Sequence, residues 1–96
     1  MCDYTGWIVQ ATAGRDRDGI FCVVGVERET GLLLLADGKR RKAARPKRKK
    51  LGHVKALAGH PHPFNHPAIQ KLKQGEALSD KALRRALAAF RDQLEV

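Results

Sequence analysis

The densest chemistry in this chain is cationic. Lys39, Arg40, Arg41, Lys42, Arg45, Lys47, Arg48, Lys49 and Lys50 share one stretch, and no acidic residue interrupts it. Like charges packed this closely repel one another unless an anion neutralises them. A phosphate backbone does so while releasing condensed counterions, so attachment weakens steeply with salt. Guanidinium groups add a planar fork that matches two phosphate oxygens at once. The competing reading is a solvated basic run without a ligand. A turn signal directly ahead of the block, Asp37-Gly38, argues that its first half is structured. The cationic zone continues to Lys55.

A second candidate is the loop Gly14-Arg15-Asp16-Arg17-Asp18-Gly19. Arg15 and Arg17 can reach phosphate, while Asp16 and Asp18 can brace them or hold the turn. The loop is no phosphate-binding P-loop, because the Gly-Lys-Ser/Thr ending and the following helix are missing.

Other reactive side chains lead less far. His53, His60, His62 and His66 invite a metal reading. Structural zinc needs paired N or S ligands, and the prolines between these histidines favour an extended linker, so no metal or other cofactor is expected. There is no carboxylate pair in an apolar setting and no nucleophile with a plausible base. Ser79 reads as a helix cap and Cys22 as a small core residue. The chain is therefore not expected to be an enzyme.

The elements that must position the cations follow from the pattern of apolar residues. Ninety-six residues make one domain, with room for a tail. The net charge of +9 and the pI of about 10.2 call for an anionic partner, nucleic acid or anionic lipid. The longest apolar run, Leu32 to Ala36, is too short to span a bilayer. The first residues carry no signal peptide, so a cytoplasmic location with reduced thiols is expected.

Strands are predicted over 7–12, 20–26 and 32–36, rich in β-branched and apolar residues between glycine turns. Asp37-Gly38 predicts a type I′ hairpin leading into a fourth strand over 40–45, with Pro46 at an edge or at its end. A fifth strand is predicted over 53–57. Five short strands with tight turns suggest a small barrel. A helix is predicted to start at Pro67 and to end at Gly75. Ser79 caps a final helix whose apolar stripe is Leu83, Leu87, Phe90 and Leu94. The expected organisation is a barrel over 1–57, a Pro/His linker over 58–66 and a helical tail over 67–96.

Gly6-Trp7-Ile8-Val9, followed by Ala13-Gly14-Arg15-Asp16 and by Gly19 before an apolar strand, resembles the KOW motif of ribosomal proteins and transcription elongation factors. The longer pattern is Ala36-Asp37-Gly38-Lys39, Arg41-Lys42, Pro46-Lys47-Arg48-Lys49-Lys50 and His53. It resembles the short bacterial KOW-domain RNA-binding proteins, which are similar to the "L-fourteen-e" large-subunit ribosomal proteins of archaea and eukaryotes. The resemblance covers roughly residues 6–57. The tail from Gly59 onward does not match, and Trp7 stands where a smaller or polar residue is expected.

This resemblance implies a mainly β fold, a five-stranded SH3-like barrel, here followed by a short α-helical tail. It implies binding of structured RNA, ribosomal RNA above all. The expected contact residues are Arg15, Arg17, Lys39, Arg40, Arg41, Lys42, Arg45, Lys47, Arg48, Lys49, Lys50 and Lys55. The alternative is an adaptor that docks a protein partner through the stripe of the last helix. Membrane attachment ranks behind both, because a basic cluster needs a second, apolar anchor. Trp7 either stacks on a base or covers one end of a small core.

Overall fold

The computed structural model describes residues 4–59 and 63–94. Five strands and two helices follow in order: β1 (Ile8–Ala11), β2 (Ile20–Val26), β3 (Leu33–Ala36), β4 (Lys47–Lys49), β5 (Val54–Ala58), α1 (Pro67–Lys73) and α2 (Asp80–Leu94). One 3-10 turn, Leu51–His53, separates β4 from β5. The strands form a single antiparallel sheet in the order β4-β3-β2-β1-β5. β4 and β5 are its two edges and do not pair with each other.

Both faces of the central strands are buried, which explains why these runs are apolar almost throughout. Register pairs Ala58 with Ile8, Ile8 with Cys22 and Cys22 with Ala36. This cross-strand row is the sheet face that meets the helices. Three of its four residues are small, so α1 and α2 lie close to the sheet. They bury Ile69, Leu72, Leu83, Ala86, Leu87 and Phe90 against it. Successive strand residues point to opposite faces. Val9, Phe21, Val23, Leu33 and Leu35 accordingly form a second cluster, which no helix residue joins.

The helices start where the sequence sets them. His66 Nδ1 accepts a hydrogen bond from the Ala68 amide at 3.1 Å, and Pro67 occupies the first turn. Ser79 Oγ accepts from the Ala82 amide at 3.1 Å. The α2 stripe buries Leu83, Leu87 and Phe90 as expected. Leu94, expected on the same stripe, is the last residue of α2 and is 55% exposed. Within 58–66, Ala58 ends β5 and Phe64 is buried, edge-on to Phe90 at 5.2 Å. His60 and His62 lie outside the described residues, as does Cys2. Cys22 is fully buried, and burial pushes its thiol pKa up to about 12, so it stays protonated and inert at neutral pH.

The expected fourth strand fails. Residues 40–45 are not a strand, and Asp37-Gly38 is not a two-residue hairpin loop. The chain leaves β3 at Ala36 and does not re-enter the sheet until Lys47. Pro46 precedes β4 instead of ending it, which suits an edge strand because proline lacks an amide donor.

Candidate nucleic-acid interface

The segment from Asp37 to Pro46 is a loop without regular structure, yet it is tied down at several points. Asp37 Oδ1 accepts the amides of Lys39 and Arg41, both at 2.9 Å. The Arg41 carbonyl accepts the amides of Asp37 and Gly38 at 3.0 and 3.1 Å. At the start of α2, the Asp80 carboxylate accepts the Ala43 amide at 2.7 Å. One turn further along, an Arg84 guanidinium nitrogen donates to the Gly38 carbonyl at 2.6 Å. Lys39, Arg40, Lys42 and Arg45 are left pointing to solvent from a fixed backbone.

The loop between β1 and β2 is equally constrained. Ala11 and Gly19 close its neck at 3.0 Å, the Asp18 amide donates back to Ala11 at 2.8 Å, and the Gly19 amide donates to Asp16 at 2.9 Å. Arg15 and Arg17 project outward, both exposed. Asp16 turns inward and is only 4% exposed.

Two contacts join the segments. Arg41 grips the Asp16 carboxylate with both branches of its fork, Nε at 3.3 Å and Nη2 at 2.8 Å. Lys49 sends Nζ to the Ala13 carbonyl at 2.7 Å. Lys49 pairs with Leu33 in the sheet, and its stem is buried while its ammonium reaches the loop. These two contacts tie the segment after β3 and the last residue of β4 to the loop after β1.

The hydrogen bond from Arg41 holds the Asp16 carboxyl below its ordinary pKa. Burial opposes that shift, and the charges of Arg41, Lys49 and Lys47 reinforce it. A carboxylate with a depressed folded-state pKa stabilises the fold above its unfolded pKa of about 3.9. That contribution is lost as pH falls through the lower folded value. Arg41→Ala leaves a buried carboxylate unpaired and is expected to cost about 1–3 kcal/mol at neutral pH. Urea unfolding checks this: the gap from the parent chain should narrow below pH 4, and a gap independent of pH would show that the pair is not its source.

The structure therefore sorts the twelve expected contact residues. Arg15, Arg17, Lys39, Arg40, Lys42, Arg45, Lys47, Arg48, Lys50 and Lys55 are exposed. Arg41 and Lys49 are spent on internal contacts and brace the surface. Arg48 also pairs with Glu27 at 3.1 Å. Lys55 sits opposite Gln10 in the β1–β5 register, and Gln10 donates to the Asp18 carbonyl at 3.2 Å, so Lys55 flanks the loop.

Arg84 is exposed on α2, off its apolar stripe. Its contact with Gly38 depends on how α2 packs, and no local pattern encodes that. Trp7 lies against Gly59, where a Cβ would come within 2.5 Å of the indole, and meets Tyr4 edge-on at 4.7 Å. It borders the second apolar cluster. Among the described residues no group of histidine, cysteine or carboxylate side chains is placed to hold a metal. No helix among them is long and apolar enough to cross a membrane. No protein-family model matches the chain, and no curated protein matches it.

Proposed function

We propose that this chain is an RNA-binding module of the KOW type, in which an SH3-like barrel offers one basic surface to the phosphates of structured RNA, ribosomal RNA of the large subunit foremost, in the cytoplasm. The observation that carries this reading is the joining of two basic segments through Asp16–Arg41 and Lys49–Ala13. An internal carboxylate and a carbonyl hold the backbones, and the outward cations are left to an external anion. Phosphate contacts of this kind fix position and read shape, with little dependence on base identity.

Two observations support a barrel. β4 and β1 are three strand spacings apart in the sheet order. In a flat sheet that is about 14 Å, beyond the reach of a lysine, so the Lys49–Ala13 contact calls for strong curling. The cluster of Val9, Phe21, Val23, Leu33 and Leu35 has no helical cover, and its burial also calls for a sheet wrapped on itself. The adaptor reading has less support, because Leu83, Leu87 and Phe90 are covered by the chain's own sheet.

Titration with folded ribosomal RNA fragments and with heparin, across a range of salt, tests the reading. The RNA should bind more tightly than heparin at physiological salt. Its log K should fall with log salt with a slope of roughly 0.7–0.9 per phosphate engaged. Equal affinity for both polyanions would count against recognition of RNA.

A further inference from the structure

A cleft of about 290 Å³ lies between the turn after β3 and one flank of α2, lined by Asp37, Lys39, Arg40, Arg84, Leu87 and Arg91. Four cations thus face one carboxylate. One oxygen of that carboxylate already accepts the Lys39 and Arg41 amides. Arg84, Leu87 and Arg91 fall at positions i, i+3 and i+7 of α2, which one helix face displays together. Leu87 is 2% exposed and forms an apolar floor. Arg84 and Arg91 stand on either side of it, two turns and roughly 10.5 Å apart along the axis.

The bond from Arg84 to the Gly38 carbonyl fixes the guanidinium at the cleft wall. Lys39, Arg40 and Arg91 make no ion pair among the described residues. Four positive groups converging on one concavity over an apolar floor raise the local concentration of anions. Arginine's fork suits phosphate oxygens in particular.

We propose that this cleft is a phosphate-binding site, and that it carries the RNA-contact surface from the sheet loops onto the helical layer. The source of the phosphate, an RNA strand, rests on the function proposed above; the site itself rests on the geometry of the cleft. α2 would then act as a second wall for the bound strand as well as a cover for the sheet.

Two measurements on the full chain separate these claims. In the first, inorganic pyrophosphate is titrated while the arginine side-chain Nε–Hε resonances are followed by NMR. Those of Arg84 and Arg91 should move together and saturate, and the Arg84 response should weaken in Arg91→Gln. No saturable response at either arginine would overturn the site. In the second, structured RNA is bound to Arg91→Gln and to Arg85→Gln, a control that removes an equal charge from the same helix outside the cleft. Arg91→Gln should lose about 3–10-fold in affinity, with the salt slope reduced by about 0.7–0.9, and Arg85→Gln much less. Equal losses would overturn the RNA role of the cleft and leave the proposed function standing. A parent chain that binds no RNA would overturn the proposed function, and the pyrophosphate result would still judge the site.

Discussion

Gly38→Val is expected to bring the domain close to unfolding at room temperature. Gly38 has a φ of +78°, where a β-branched residue is strained. The site is also full, because a Cβ there would collide with the Asp80 carbonyl oxygen at the start of α2 and come within 3.1 Å of the Arg84 side chain. Backbone strain of about 1–3 kcal/mol adds to an overpacking cost of about 1–3 kcal/mol, together roughly 2–6 kcal/mol. A chain of this size has only about 5–15 kcal/mol in total. Urea unfolding followed by circular dichroism should show a large drop in midpoint for Gly38→Val, and a smaller one for Gly38→Ala. An unchanged midpoint in Gly38→Val would mean that α2 does not pack on this turn.

The opposite pattern is expected when Arg15, Arg17, Arg40 and Arg45 are all changed to Gln. All four are exposed, and none makes a side-chain hydrogen bond or ion pair among the described residues. Stability should therefore stay within about 0.5 kcal/mol of the parent. Affinity for structured RNA should fall roughly 100-fold at physiological salt, and the salt slope should shrink by about 3, from four phosphate contacts at roughly 0.7–0.9 each. Including Arg41 in such a set would confuse the result, because that residue holds Asp16. If the quadruple variant bound RNA like the parent, the outward arginines would not be the contact groups.

These contrasts show where sequence sufficed and where it could not. β2 was legible to its ends, since a β-branched and aromatic run between polar loops has one outcome. The row Ala58, Ile8, Cys22, Ala36 follows from alternation once the register is known. Ser79 and His66–Pro67 mark their helix starts through local hydrogen bonds.

The 37–46 segment was misread because its decisive partners are distant. Asp-Gly suits a type I′ hairpin and equally suits a loop in which Asp37 receives two amides and Gly38 takes a positive φ. What selects the loop is Asp16 on Arg41 and Asp80 on Ala43, residues 25 and 37 positions away. β4 was invisible for another reason. Lys-Arg-Lys carries no strand propensity, and it pairs because the open edge of β3 offers unpaired backbone groups.

The candidate site divides in the same way. Composition located the cations, but not which of them work inside the fold. Lys49 and Arg41 look like their neighbours in sequence. Only the pleat, which turns Lys49 inward beside Leu33, and the buried Asp16 carboxylate set them apart. The approach of Arg84 and Arg91 to Lys39 and Arg40 likewise depends on where α2 comes to rest on the sheet.

The central claim is that the loop after β1 and the segment after β3 form one surface that grips RNA. Ultraviolet crosslinking of the full chain to RNA in cells, with the crosslinked peptides mapped by mass spectrometry and the RNA sequenced, tests it most directly. The account predicts crosslinks within both 12–19 and 39–50, on ribosomal or other structured RNA. Crosslinks confined to one segment, or none above those of a non-binding control protein, would contradict it.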